Sequence, residues 1–391
     1  MNNALKLTVE LIRECIDTQY KADFDESELS YDMIMQVYKL SALHDVSHLV
    51  ASALDRRKML KNDEVGQLFK RSLMIAAYRH EGQAYEIERL SRVLESGHIP
   101  FILLKGSELC YQYPEAWMRT RSDIDVLVKL EDLDAAKAAL INELSYCEKN
   151  TSAHDVSLLS QGGVHVELHY TLWDDDIKRG VAESAARLLE GVWSSALVCD
   201  GYEYRYVMDG ALFCFYHYVH MAKHILDGGC GIKPFIDINI LNSVGMACGK
   251  KFIDLAEQGE MARFIECAQR VANVWFGDEQ HNDVSLELER FVVGGGVYGA
   301  VENRIAVGQS KTKGKMGYIL SRVFIPWSEL KYHYPILSKH KWLTPLFEVV
   351  RWLSLLFGKK KEHTAEVLHA NSQISDDQAK KIRLFIKNIG L

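Results

Sequence analysis

The sequence is poor in proline, has no long apolar run and has no closely spaced cysteine pair. Only 6 prolines occur in 391 residues, which leans the chain towards helix, because proline breaks helices. No stretch reaches the roughly 18 consecutive apolar residues of a membrane span, so none is expected. The start, MNNALKLTVELIREC, lacks the basic region, apolar run and small-residue cleavage site of a signal peptide, and none is expected there. The 8 cysteines are scattered without a Cys-x-x-Cys pair. That suits reduced, buried thiols in a cytoplasmic protein better than a disulfide framework or a zinc site. Positive charge is not in excess: 46 Lys and Arg face 53 Asp and Glu, a formal net charge of −7. Bulk electrostatic attachment to nucleic acid is therefore not expected, while a local basic site stays open.

What is present is ordinary globular material, 48% hydrophobic and 25% charged. The length suits two or three domains at roughly 100–200 residues each. Residues 1–97 carry helical spacing: Met33, Val37 and Leu40, then Val46, Leu49 and Val50, then Ile87, Leu90 and Leu94, with Gly97 where a helix C′ glycine belongs. The pattern changes at Ile99. The apolar run to Leu104 reads as a buried strand, and a short helix is expected from Ser107. Asp123–Val128 reads as a second strand. A helix follows with Leu133, Ala136, Leu140 and Leu144 on one face, then a hairpin across Gly162-Gly163. From residue 201 to 391 helical patterns return. The expectation is an α+β protein: a small mixed β-sheet core at 98–200 between an N-terminal helical lobe, 1–97, and a C-terminal helical domain, 201–391. The glycine-rich stretch Gly294–Gly299 follows no strand, and Gly308–Lys315 has the wrong spacing for a phosphate loop, with Met316 in place of Ser or Thr; both read as connections.

Two strands hold the chemistry. The period of two puts Asp123 and Asp125 on one face, with Ile124, Val126 and Val128 on the other. Side-by-side carboxylates repel unless one is protonated or a cation lies between them, and a hard divalent ion such as Mg²⁺ resolves the conflict. In the second strand Val164, Val166, Leu168 and Tyr170 form the apolar face, leaving His165, Glu167 and His169 opposite. If the strands are neighbours, Glu167 joins the two aspartates as a third carboxylate. Three acidic groups around one or two Mg²⁺ ions suit activation of a hydroxyl and neutralisation of a triphosphate. Upstream, Lys105-Gly106-Ser107 joins a strand end to a helix start. There the glycine permits close approach of a phosphate, the serine can cap the helix or bond a phosphate oxygen, and the lysine adds charge.

This series of motifs resembles the polymerase-β-type nucleotidyltransferase superfamily. It comprises strand-Lys-Gly-Ser-helix, Arg119 four residues before Asp-Ile-Asp, and Val-Glu-Leu-His. More narrowly, the chain is similar to the bacterial "uncharacterised nucleotidyltransferase" family, a likeness that extends over about residues 85–360. It includes the histidine-bearing helix His217–His224, the segment Gly231–Asp237, and the stretch from Tyr334 to Trp352. The resemblance implies a nucleotidyltransferase core moving NMP from an NTP to an acceptor with release of pyrophosphate. Asp123, Asp125 and Glu167 would be metal ligands and catalytic residues, with two Mg²⁺ expected. Lys105, Gly106, Ser107 and Arg119 would hold the NTP phosphates; Arg119 and Arg121 could each steady a triphosphate or merely balance the acidic site, and the family spacing favours Arg119. Two departures stand out: fifteen residues separate Ser107 from Asp123, implying an insertion over Tyr111–Met118, and Lys233 stands where arginine is usual.

Other positions keep two readings. His169 and His224 are candidates for substrate or supporting contacts, as are Lys233 and Asp237, which at i, i+4 could equally be a plain helix ion pair. His217, His220 and His224 share a helix face; core or interdomain packing suits them better than zinc. Trp342–Phe357 is amphipathic and precedes Lys359-Lys360-Lys361; packing on the catalytic core is expected over a membrane surface. No feature identifies the acceptor, with a small molecule or protein favoured over nucleic acid. The alternatives are a degenerate nucleotide-binding scaffold and a toxin-type nucleotidyltransferase acting on tRNA or protein.

Overall fold

A computed structural model describes residues 3–24, 29–152, 154–173, 181–297, 299–312, 314–357 and 369–391. The basic run Lys359–Lys361 lies outside the described residues. Four helices open the chain: α1 (Asn3–Ile16), α2 (Tyr31–Leu43), α3 (Ser47–Arg56) and α4 (Glu64–Ser96). Ser30 caps α2 and Asp63 caps α4, each side chain accepting from a backbone N–H in the first turn. The expected left-handed glycine at the end of α4 is not found. Gly97 has φ −80°, and the positive φ falls on His98 instead, at 54°.

The strands that follow are β1 (Phe101–Leu103), β2 (Asp123–Val128), β3 (Cys147–Thr151), β4 (Asp155–Leu159), β5 (His165–His169), β6 (Leu197–Val198) and β7 (Arg205–Val207). They form one seven-stranded mixed sheet in the order β3-β4-β5-β2-β1-β7-β6. The helices α5 (Gly106–Leu109) and α6 (Leu133–Leu144) connect β1 to β2 and β2 to β3. Strand β3 is an edge whose five residues, Cys-Glu-Lys-Asn-Thr, are all exposed, so no apolar alternation marks it in the sequence. Strand β7 lies just beyond the expected sheet-forming stretch.

Period-two alternation gives the sheet two different faces. Ile124, Val126 and Val128 of β2, with Val166 and Leu168 of β5, pack under Leu90 and Leu94 of α4 and Leu140 of α6. The opposite face, carrying Ile102, Leu127 and the carboxylates, turns towards a second core built by the N-terminal helices and by α7–α12. These are α7 (Glu183–Glu190), α8 (Gly210–Leu226), α9 (Lys233–Ser243), α10 (Lys250–Gln258), α11 (Ala262–Phe276) and α12 (Asp283–Gly295). The chain finishes with α13 (Val301–Lys311), α14 (Gly314–Val323), α15 (Trp327–His333), α16 (Thr344–Phe357) and α17 (Asp376–Ile389). Helix α16 lies chiefly against α15 and the turn Lys341–Leu343, not on the sheet as its amphipathic pattern led us to expect.

The glycine-rich stretch is a connection only beyond Gly295, its first two glycines closing α12, and Gly308 lies inside α13, not in a connection as expected; the part past α12 has a packing reason. Gly299 has φ +71°, and a Cβ there would stand 2.4 Å from the carbonyl carbon of Gly228, so two backbones pass in contact.

Candidate active site

Strands β2 and β5 are parallel neighbours in the register Asp123↔His165, Asp125↔Glu167 and Leu127↔His169. The pairing places Glu167 directly beside Asp125 on the side of the sheet away from α4 and α6. Asp125 is buried, and Lys105 Nζ donates to its Oδ1 at 2.8 Å. His169 Nε2 lies 2.8 Å from the same oxygen and 3.4 Å from Glu167 Oε2. Side-chain atoms of Asp125, Glu167 and His169 all lie within 4.8 Å of one another, the spacing of a possible metal site. Among the described residues this is the one such group, so the histidines of α8 do not form another. His217 Nε2 instead meets Pro234 O at 3.2 Å, and the His220 and His224 rings meet edge to face at 4.5 Å.

The electrostatics are uneven. Burial pushes the Asp123 carboxyl up to about 6, and the neighbouring Asp125 charge adds to it. Burial also works to raise Asp125, but the Lys105 ammonium and the His169 ring override it and hold it far below the usual range. Lys105 is itself kept firmly protonated, because Asp125 outweighs the penalty of burial. His169 is raised for the same reason, through its bonds to Asp125 and Glu167. A divalent cation fits Asp125 and Glu167, whose converging carboxylates carry hard oxygen ligands; the expected third, Asp123, lies outside that close group, and its charge is disfavoured by burial and by Asp125.

Lys105 enters the site from a strained backbone, φ 48° and ψ −129°, a region non-glycine residues occupy at a cost of order 1–3 kcal/mol. Gly106 follows at the first turn of α5, a helix of only four residues that begins one residue before the expected Ser107. Ser107 does not cap this helix; its Oγ is buried and has no hydrogen-bond partner among the described residues.

The two arginines before β2 have opposite environments. Arg119 is committed: Nε donates to Asp237 Oδ1 at 2.7 Å and Nη2 to Oδ2 at 2.9 Å. Tyr113, inside the Tyr111–Met118 insertion, donates its hydroxyl to Asp237 Oδ1 at 2.5 Å, so the insertion ties the sheet to α9. Arg121, only 7% exposed, has no partner among the described residues for Nε, Nη1 or Nη2. Its Cβ and Cδ lie 3.4 and 3.6 Å from where a Gly106 Cβ would stand. The i, i+4 ion pair of Lys233 with Asp237 does not form. Lys233 donates instead to Asp45 Oδ2 at 2.6 Å and to Thr120 Oγ1 at 3.0 Å.

Lys105, Gly106, Arg119, Arg121, Asp123, Asp125 and Glu167 border a cavity of about 970 Å³ between the sheet, the end of α2, the middle of α4, and α8 and α9; Ser107 is not in its lining. This is the upper end of the roughly 300–1,000 Å³ of small-molecule pockets, room for a nucleotide and part of a second substrate. His169, His224, Lys233 and Asp237 all line it. The sequence reading weighed Arg121 beside Arg119 as a triphosphate contact and preferred Arg119, the arginine that the structure pairs with Asp237. It missed Asp45, Thr120 and Tyr113, whose partners lie far away in the chain, and Tyr78 and Gly82 of α4 at the cavity wall.

A family model described as "uncharacterised nucleotidyltransferase" matches residues 33–277, more than half of the chain and all of the cavity's lining but Val297. No curated protein matches the chain.

Proposed function

The chain belongs to the uncharacterised nucleotidyltransferase family, and from that premise we propose a polymerase-β-type enzyme that moves NMP from an NTP to an acceptor oxygen. The observation that carries this reading is the parallel register of Asp125 with Glu167, two carboxylates set side by side in a cavity with Asp123 two residues upstream. Asp123, Asp125 and Glu167 would hold Mg²⁺, two ions in the full reading, which would neutralise triphosphate charge and lower the pKa of the attacking hydroxyl. His169 orients Asp125 and Glu167 through its contacts to both. Lys105 holds the negative charge of Asp125 in place and stands where the NTP phosphates arrive.

The phosphate grip is reassigned within this reading. Arg119 is spent on Asp237 and serves to position the segment that leads into β2. Arg121, buried without an acceptor at the cavity wall beside Gly106, is the group a phosphate would satisfy, with the unpartnered Ser107 hydroxyl on the next residue. Lys233 supports the same segment through Thr120 and Asp45. In the reaction the acceptor oxygen attacks the α-phosphorus, and the bond from that phosphorus to the bridging oxygen breaks. Pyrophosphate leaves, and the acceptor proton passes to Glu167.

Incubation of the protein with Mg²⁺, each NTP labelled at the α- or the γ-phosphorus, and cell extract as a source of acceptors tests this. Label should pass to an acceptor from the α-position alone, with pyrophosphate released, and Asp125→Asn should reduce it by at least about 10³-fold. Transfer of γ-label, or wild-type-like transfer by Asp125→Asn, overturns the reading.

A further inference from the structure

The C-terminal part of the chain reverses the charge of the whole. Residues 303–361 contain 12 Lys and Arg against 2 Glu, in a protein whose formal net charge is −7. The helices of this segment are also turned the wrong way for a protein surrounded only by water. On α16, Leu346, Val349, Val350 and Leu353 follow i, i+3, i+4, i+7 and are exposed, and Trp342, four residues before them, is 77% exposed. The charged residues of the same helix point inwards. Glu348 is 6% exposed, accepts from Ile325 N–H at 3.0 Å and pairs with Arg351. Arg351 in turn donates to the carbonyls of Arg322 and Val323 at the end of α14.

Helix α14 repeats the arrangement with Met316, Leu320 and Phe324 exposed at i, i+4, i+8. The two stripes meet where the Phe324 ring stands edge-on to Trp352, centroids 5.2 Å apart. Basic side chains lie in the same segment: Lys331 and Lys341 over the Trp327 ring at 5.1 and 4.7 Å, Arg322 over Tyr318 at 5.5 Å, and Lys339 exposed before α16. Burying an ion pair while showing water a continuous aliphatic stripe is unfavourable on both sides, and it becomes favourable only when something covers the stripe.

We propose that α14 and α16 dock this face onto an anionic lipid bilayer, with the aliphatic and aromatic side chains at the acyl boundary and the Lys and Arg side chains among the phosphates. The chemistry selects this occupant. A second copy would bring two strongly basic faces together. Nucleic acid would satisfy the cations and leave Leu346, Val349, Val350 and Leu353 without a use. A lipid surface meets both needs. Helix α16 has 14 residues and no described helix is long and apolar enough to cross a membrane, so the helices lie in the plane of the interface. The proposal stands independently of the nucleotidyl-transfer reading.

Co-sedimentation of the full chain with phosphatidylcholine vesicles, with and without phosphatidylglycerol, tests it. The protein should pellet with the anionic vesicles, less so at high salt, and remain in solution with pure phosphatidylcholine. Leu346→Glu with Val350→Glu should weaken binding by at least about tenfold, and so should Lys339→Glu with Lys341→Glu, because both contributions are needed. Circular dichroism of both variants should match the parent. Failure to bind anionic vesicles, or binding unchanged in folded variants, overturns the proposal. So does the finding that Leu346→Glu with Val350→Glu instead dissolves a dimer or releases bound RNA.

Discussion

Two arginines two residues apart illustrate how little a side chain's identity says about its task. Arg119 and Arg121 both precede the Asp-Ile-Asp strand and both reach the cavity. Arg119 completes a buried ion pair with Asp237, which has no exposed surface. Removing one member of such a pair strands the other, at about 3–5 kcal/mol. Arg119→Met should therefore lower the unfolding free energy, read from urea titration, by that much. Arg121→Met should leave stability equal or higher, because an unpartnered buried cation is lost, yet weaken Mg²⁺-dependent NTP binding about 10- to 100-fold, the value of one or two charge-assisted hydrogen bonds. Parallel urea titrations and calorimetric NTP titrations separate the two; an Arg121→Met protein that binds NTP normally removes Arg121 from the phosphate site. The carboxylates and His169 were legible because alternation along a strand is a local property. The preference for Arg119 over Arg121 was not, because Asp237, the residue that occupies Arg119, lies 118 positions away.

At the scale of elements, helix spacing located α2, α3 and the end of α4, and alternation located β2 and β5, since each buries one face against a single layer. Strands β3, β6 and β7 escaped, and the packing of α16 was misread. Strand β3 is all exposed, so it is held by backbone pairing to β4 and carries no apolar signal. Helix α16 shows its apolar face to the outside, so the same periodicity that identifies it as a helix misdirects its packing. Helix α4 holds the remaining element-scale question. It runs for 33 residues, and Gly82 stands in its interior with nothing within 4 Å of the point an added Cβ would occupy. Glycine inside a helix is less favourable than alanine by about 0.5–1 kcal/mol, and no neighbour requires it here. Gly82 lines the cavity beside Tyr78 and Arg79. Gly82→Ala should raise the unfolding free energy by that amount and, if the acceptor passes over the bare backbone, reduce NMP transfer while NTP binding holds. A variant stabilised and fully active would show that the space is unused.

Across the whole molecule, the sheet and the helical lobes are joined by a few buried polar ties, and two of them contain histidine. His44, at the end of α2, lies 3.2 Å from Val293 O on α12, and burial pushes its ring down to about 4. His48 on α3 lies 2.9 Å from Met118 O, and burial pushes it down to about 4 as well; Asp45, Lys233 and Arg119 are the charges around it. Both rings are neutral in the folded protein, so each N–H can donate to its carbonyl. An unfolded histidine titrates near 6.5. Between that value and about 4 the unfolded chain takes up protons that the folded chain refuses, so the contribution is complete above pH ~6.5 and is lost as pH falls towards 4. The two sites together amount to a few kcal/mol, on the order of a large part of a typical domain's stability. These two sites should thus lower the unfolding free energy from about pH 6.5 to about pH 4.5, opposed by Asp123, whose raised carboxyl takes up its proton near pH 6 in the folded chain, with the N-terminal helices loosening from the sheet. His48→Gln, whose amide can still donate to Met118 O without titrating, should remove that ring's share of the slope, while His44 and the buried His217 and His220 keep theirs, at little loss at neutral pH. Urea unfolding followed across the range measures it, and a slope unchanged in His48→Gln would show that acid sensitivity arises elsewhere than at these junctions.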